Sequence, residues 1–171
     1  LGGLNQKTAI YNQLNNRDNY KSIFWLNMKM LGKYITDGIK LAGQVITDVS
    51  FENENRIHEI LERNFAWMEN YVQSEGYNLP VQRIQSYIHE SGWYMEQISG
   101  LTAYQKIKHL IKNYDNEKEG LFKIIFEIKQ LLFNRQNLIL SITSSGKDLE
   151  LAESECTSLI EKLPQNNYPC E

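Results

Sequence analysis

Residues 20–29 have the sequence YKSIFWLNMK, and this stretch decides the fold class. Its side chains alternate between two faces, with Phe24, Leu26 and Met28 on one of them. A period of two is typical of a β-strand, because successive side chains of a strand point to opposite sides. We therefore predict a strand over residues 20–29 and expect the face of Phe24, Leu26 and Met28 to meet the core.

A second strand is predicted just before this one, over residues 6–14, where Thr8, Ile10 and Tyr11 are typical strand residues. The residues between the two strands, 15–19, have the sequence NNRDN. Asn and Asp favour turns because they tolerate left-handed backbone angles. The amino-terminal part is therefore predicted to be a β-hairpin.

From about residue 33 the spacing of apolar residues becomes helical. Asn53 is predicted to be an N-cap, Gly76 a C-terminal cap and Pro80 a first helical residue. Ser91-Gly92 and Ser99-Gly100 are predicted to interrupt the helical pattern, with a short aromatic segment between them. The helical stripes cover residues 35–46, 57–72, 81–88, 104–114, 121–132 and 149–163.

One more strand is predicted between the last two helices, at residues 138–143, with the sequence LILSIT. Strands at both ends of a helical middle indicate an α+β fold, in which the late strand returns to the sheet of the hairpin. We expect an antiparallel sheet, formed by the N-terminal hairpin plus this late strand, packed against a large helical layer. This fold is predicted as a single α+β domain over residues 1–164, followed by a loose C-terminal tail over residues 165–171.

Composition excludes several classes of partner. The chain has 18 Lys and Arg against 21 Asp and Glu, a net charge of −3, so it lacks the basic surface that nucleic acid requires. It has no apolar run of the roughly 20 residues that a membrane span needs. Its two cysteines, Cys156 and Cys170, form no disulfide framework. We expect a cytoplasmic location or another reducing intracellular compartment.

The residues that could carry chemistry make no recognisable catalytic pattern. His58 and His89 each precede a Glu, but neither has the second His at i+4 that a zinc helix requires, and His109 stands alone. Cys156 lies on an apolar helical face, a poor place for an activated thiolate. We therefore predict no catalytic, cofactor-binding or metal-binding residue in this chain.

Aromatic residues are unusually dense between residues 71 and 104. One interpretation is that they pack between helices in the core. The other is that some of them line a peptide-binding surface, since aromatic side chains supply contact area at low entropic cost. The sequence leaves both interpretations open.

The order of these segments resembles a known family. The resemblance is carried by a set of stretches spread over nearly the whole chain: Gly2-Gly3-Leu4, the run FWLNMKML at 24–31, SEGY at 74–77, Arg83, ISGL at 98–101 and LFNRQNLILSIT at 132–143. They are similar to the inverted zinc metallopeptidases of the pitrilysin/insulinase clan. Within that clan they resemble the presequence-protease branch, in the associated region that begins the C-terminal half. Tyr77 departs from the pattern, since many relatives have a His there.

The resemblance implies a function for the protein from which this chain would come. Such proteases have four similar α+β domains in two halves that close around a peptide, and they hold zinc through an H-x-x-E-H motif and a later Glu in the N-terminal half. This chain, which lacks an initiator Met, would be a fragment corresponding to the third domain of a longer zinc-dependent metalloendopeptidase. It would form a chamber wall and an inter-half scaffold without catalytic activity of its own, with zinc only in the parent protein.

The partners implied are the remaining domains of the parent protease and an unfolded peptide substrate, with no nucleic acid and no membrane. Self-association of the isolated fragment is also expected. The candidate peptide or interface surface consists of Tyr77, Arg83, Tyr87, Trp93 and Tyr94. Two alternatives stay open: a stand-alone helical protein-interaction module, and a small enzyme that uses Cys156.

Overall fold

The structure is a computed structural model that describes residues 2–165, with the backbone alone for residues 16–18. The predicted C-terminal tail and Cys170 lie outside the described residues, apart from Gln165. The described residues form two strands and seven α-helices: β1 (Gly3–Gln13), β2 (Asn16–Lys29), α1 (Ile35–Thr47), α2 (Glu54–Ser74), α3 (Asn78–Ser86), α4 (Glu90–Ser99), α5 (Leu101–Lys112), α6 (Tyr114–Leu132) and α7 (Gly146–Glu161). The α+β class is confirmed.

The predicted hairpin is present, but the turn predicted at residues 15–19 is wrong, because β2 begins at Asn16 and the turn is at Leu14 and Asn15. Strands β1 and β2 form a two-stranded antiparallel sheet. Phe24 packs edge-on against Phe133, with ring centroids 6.3 Å apart, and Met28 packs against a buried apolar cluster. The face predicted to meet the core therefore does so at these two residues.

By its contacts the chain divides into two compact units. Unit 1 contains residues 1–7, 24–51 and 122–171, and unit 2 contains residues 8–23 and 52–121. The hairpin and α6 contribute residues to both units. The single domain predicted over residues 1–164 stays a prediction.

The core of unit 1 lies between α1 and α7. Ile35, Ile39 and Ala152 are buried together, and Met28, Met30, Ile142, Cys156 and Leu159 pack against them. The Thr36 hydroxyl donates a hydrogen bond to Glu155 Oε1 at 3.2 Å. The apolar stripes predicted for these two helices are thus the surfaces that they bury against each other.

A fully buried asparagine organises the end of α6 in unit 1. The side chain of Asn134 accepts a hydrogen bond from the backbone N–H of Gln136 at 3.1 Å. The next residue, Arg135, donates from its backbone N–H to the carbonyl of Pro164 at 3.0 Å and from its Nε to the carbonyl of Ile160 at 3.2 Å. The turn after α6 is therefore tied to the end of α7.

Unit 2 is built from residues 8–23 of the hairpin, helices α2 to α5 and the first turns of α6. Asn53 is confirmed as the N-cap of α2, because its side chain accepts a hydrogen bond from the backbone N–H of Arg56 at 3.0 Å. Phe65 on α2 stacks on Tyr104 of α5 with ring centroids 5.5 Å apart. Gly76 follows the end of α2 without a positive φ angle. A Cβ there would lie 2.6 Å from the Val72 carbonyl oxygen, so glycine allows a close approach at this point.

The late strand predicted at residues 138–143 is wrong. The sheet contains only β1 and β2 among the described residues, and residues 138–143 belong to no strand. Leu138 has extended backbone angles, φ −95° and ψ 131°. Ile142 packs on the core of unit 1, while Ile139 is exposed. Apolar and β-branched residues favour an extended chain, but a strand also needs a hydrogen-bonded neighbour, which a local pattern does not supply.

The prediction of five helices before residue 133 is also wrong, because α4 makes a sixth. Ser91 and Gly92, which were predicted to interrupt the helical pattern, lie in the first turn of α4. His89 caps this helix, since its Nδ1 accepts a hydrogen bond from the backbone N–H of Gly92 at 3.0 Å. A Cβ on Gly92 would collide with the Gln85 carbonyl group, so glycine is required there by packing and does not end a helix.

Candidate functional site

The five residues of the predicted surface all lie on or beside α3 and α4 in unit 2. Tyr77, Tyr87 and Trp93 are largely exposed, so they are not core residues. Tyr94 is half-buried and packs against Tyr20 of β2, with ring centroids 5.5 Å apart. The structure thus assigns packing to Tyr94 and leaves the other three aromatic side chains open to solvent.

Arg83 is held by a buried acid that the sequence did not indicate. Its Nη2 lies 2.9 Å from Oε1 of Glu96 on α4, and the Glu96 side chain is only 1% exposed. The same carboxylate oxygen accepts hydrogen bonds from the backbone N–H and the hydroxyl of Thr102 at 3.1 and 3.2 Å. The other oxygen of Glu96 is buried without a hydrogen-bond partner. We therefore interpret Arg83 as a structural residue that joins α3 to α4, with about a third of its side chain exposed.

Gly100 makes room for this carboxylate. It separates α4 from α5, and an added Cβ there would lie 2.5 Å from Cδ and 2.9 Å from Cα of Glu96. No other residue fits without displacing the carboxylate. The signal in the sequence is a Glu four residues before a Gly, which is too common a spacing to identify a buried ion pair.

Unit 2 has a polar cleft where α2 and α6 begin. Lys118 Nζ lies 2.7 Å from Oε2 of Glu54, and the Tyr114 hydroxyl donates to the Glu54 carbonyl at 3.0 Å. The bond to Glu54 raises the pKa of Lys118, and burial together with the charge of Glu54 raises the pKa of Tyr114. Both groups therefore keep their protons at neutral pH, and neither has the lowered pKa that a base or nucleophile requires.

His58, His109 and Cys156 have contacts that explain them as packing and surface residues. His58 packs on Tyr114, with ring centroids 4.4 Å apart, and His109 Nε2 lies 2.8 Å from Glu117 Oε1. Burial raises the pKa of the Cys156 thiol, which is the opposite of what activates a nucleophile. The described residues contain no group of three or more His, Cys, Asp or Glu side chains that could hold a metal ion.

The helices of the described part of the chain lack the combination of length and apolar character that crossing a bilayer requires.

Comparison with known proteins places the chain among peptidase-associated domains and identifies the family. Residues 1–110 match the family described as Peptidase M-16C associated. The chain belongs to this family, which confirms its resemblance to the presequence-protease branch of zinc metallopeptidases.

Two curated relatives show how small a part of a longer protein this chain matches. It is 27% identical over 130 residues to Presequence protease 1, chloroplastic/mitochondrial, of Arabidopsis thaliana, which covers 76% of the chain and 12% of that protein. It is 21% identical over 170 residues to Protein HypA of Clostridium perfringens, which covers 99% of the chain and 17% of that protein. The chain thus spans less than a fifth of the length of each.

Proposed function

We propose that this chain is a non-catalytic domain of a zinc-dependent metalloendopeptidase that degrades unstructured peptides. The observation that carries the proposal is the family match over residues 1–110, supported by the alignment with a presequence protease. The domain forms part of the chamber wall and a scaffold between the two halves of the parent protein. Zinc belongs to another part of that protein, and the described residues here offer it no cluster of ligands.

The physical task of such a wall is to exclude bulk water and folded proteins from the chamber. Exposed aromatic side chains suit this task because they present large contact area with few rotatable bonds. Tyr77, Tyr87 and Trp93 are the exposed members of the candidate surface. A hydrogen bond from Tyr77 to Glu75 and the charge of that carboxylate raise the pKa of Tyr77, so its phenol remains neutral. We assign these three side chains to contacts with neighbouring domains or with the peptide.

The size of the native gene product provides the first test. An antibody raised against this chain should detect a band several times heavier than 20.0 kDa in source cells. The purified full-length protein should cleave an unstructured peptide, lose that activity with a chelator and regain it with zinc. The isolated chain of 171 residues should show no cleavage and no stoichiometric zinc.

Two outcomes would overturn the proposal. Chelator-sensitive cleavage by the pure isolated chain would place catalysis inside it. A native band near 20.0 kDa would mean that the domain works alone. The exposed apolar side chains of α3 would then favour the alternative of a stand-alone interaction module.

A further inference from the structure

Helix α3 turns its apolar face toward solvent. Val81 and Ile84 lie on this face, and Tyr77 at the N-cap and Ile88 in the turn after α3 continue it at the helical spacing i, i+4, i+7 and i+11. The exposed fractions of Tyr77, Val81, Ile84 and Ile88 are 70%, 54%, 59% and 70%. Tyr87 extends this face with an exposed fraction of 79%. We call these five residues the α3 stripe.

The opposite face of α3 buries Leu79 and is hydrogen-bonded to the rest of unit 2 through polar side chains. Gln82 Nε2 donates to the Met95 carbonyl and to Ser99 Oγ, both at 2.9 Å. Arg83 forms its ion pair with Glu96. Rotating α3 to bury the stripe would break these bonds and leave the Glu96 carboxylate buried without a cation, which is strongly unfavourable. The outward direction of the stripe is therefore determined by the fold.

The chemistry of the stripe favours a helix over an extended peptide as its partner. Val81, Ile84 and Ile88 offer no hydrogen-bonding side chain. An extended peptide would bring backbone N–H and C=O groups that need partners when buried, whereas a helix satisfies these groups internally. Between residues 76 and 89 the only Asp, Glu, Lys or Arg is Arg83, which is paired with Glu96. The stripe is thus uncharged and matches an apolar helical face.

We propose that the α3 stripe docks an amphipathic helix contributed by a segment of the same polypeptide that lies outside these 171 residues. The inference rests on the proposed function, in which the chain is one part of a longer protein. The matched relatives are long enough to supply such a segment, since the chain covers 12% and 17% of them. A segment of the same polypeptide is present at high effective concentration, an advantage that a second copy lacks. The helix that carries the stripe, Asn78–Ser86, is about 12 Å long at 1.5 Å per residue, which is roughly two turns of a docked helix.

Photo-crosslinking in the full-length protein tests this assignment. A benzoylphenylalanine replaces Ile84 in one variant and Gln85 in the control, because Gln85 is the adjacent exposed residue outside the stripe. We expect position 84 to link, within one molecule, to a helical segment outside residues 1–171. We expect the yield from position 85 to be several-fold lower.

A charge substitution gives a second readout that does not depend on the probe. Ile84→Glu should lower the hydrogen-exchange protection of the amides of residues 77–88 in the full-length protein by about tenfold or more, because docking would bury an unpaired carboxylate. Gln85→Glu is the matched control and should leave that protection unchanged. Since residue 84 is exposed when the stripe is undocked, the charge itself does not prevent folding of unit 2.

Several outcomes would overturn the inference. These are a cross-link from position 84 to a second copy, a cross-link only to an added unstructured peptide, and equal yields from positions 84 and 85. The peptidase assay on the same preparations separates this inference from the proposed function. An active, chelator-sensitive peptidase without the link refutes the docking alone, and a linked protein without peptidase activity refutes the proposed function alone.

Discussion

Removing the cation from the buried pair Arg83–Glu96 should destabilise unit 2 far more than removing the cation from an exposed pair. The chain supplies a matched control in Arg56–Glu59. The two pairs have the same residue types and the same N–O distance, 2.9 Å, but the Glu59 side chain is 62% exposed and that of Glu96 is 1% exposed. The two pairs therefore differ in burial and in one further respect, since Arg56 and Glu59 lie on one helix and Arg83–Glu96 joins two.

The expected magnitudes follow from the two environments. At 2.9 Å and an effective dielectric constant of 20, the attraction between unit charges is roughly 6 kcal/mol, and desolvation of the ions offsets much of it. Arg83→Met leaves a buried carboxylate without its cation and should lower the free energy of unfolding by about 3–5 kcal/mol. Arg56→Met should lower it by no more than about 0.5 kcal/mol, because water solvates Glu59 once the partner is gone.

Substituting the acid of the pair should cost less stability than substituting its cation. Glu96→Gln should cost about 1–3 kcal/mol, less than Arg83→Met. Glutamine keeps an oxygen for the two bonds from Thr102, and the Arg83 side chain, 36% exposed, can be solvated. Its new amide group would, however, lie where the Glu96 oxygen has no partner.

Urea unfolding followed by circular dichroism measures these differences, with the unchanged slope of the transition as the control for a common mechanism. A cost of Arg83→Met equal to that of Arg56→Met would refute the reasoning. It would mean that the buried carboxylate does not depend on its cation. A Glu96→Gln cost above that of Arg83→Met would refute the asymmetry.

Three further predictions concern single positions. Gly100→Ala should lower the free energy of unfolding, measured by thermal unfolding, by about 1–3 kcal/mol, because its Cβ would collide with Glu96. Gly120→Ala should raise it by roughly 0.5–1 kcal/mol, because Gly120 lies inside α6 and a Cβ there would have nothing within 4 Å. Equal effects of the two substitutions would contradict this prediction. In a Cys170→Ser background, Cys156 should be alkylated much faster in denaturant than in the native state. An equal alkylation rate in the native state would contradict this. Burial raises the pKa of the Cys156 thiol in the folded state, so the thiol of the unfolded chain ionises first as pH rises. The free energy of unfolding should therefore fall above about pH 8.5. Asn53→Ala should cost about 1 kcal/mol and Asn53→Asp almost nothing, measured by urea unfolding, because the aspartate still accepts the capping bond; equal losses would exclude the cap.

Local patterns predicted the elements whose stability is local. The alternation at residues 20–29 predicted β2, and Asn53 predicted the start of α2. The stripe of α1 also predicted which side of the helix is buried, because α7 covers it. In these cases the pattern and the packing agree.

The candidate surface shows where such reasoning ends. Periodicity identified Val81, Ile84 and Ile88 as one helical face, but it did not tell whether that face is covered. Gln82 and Arg83 determine which face of α3 points to solvent, because both bond to residues of α4. Helix α4 was not predicted, because the glycines at 92 and 100 were interpreted as breaks in the chain. Buried polar pairs between helices leave no periodic signal, so they could not be predicted from one sequence.

The division of the chain into two units also constrains the order in which it folds. All the residues of unit 2 lie between segments of unit 1, so unit 2 is fully synthesised once residue 121 has been added. Unit 1 must wait for α7, because Thr36 bonds to a residue 119 positions away. At about 5–20 residues per second, the 40 residues from position 121 to position 161 take roughly 2–8 s. At the start of that interval only Met28 and Met30, of the residues that pack against the buried face of α1, have been synthesised, so this face stays partly uncovered until α7 is complete.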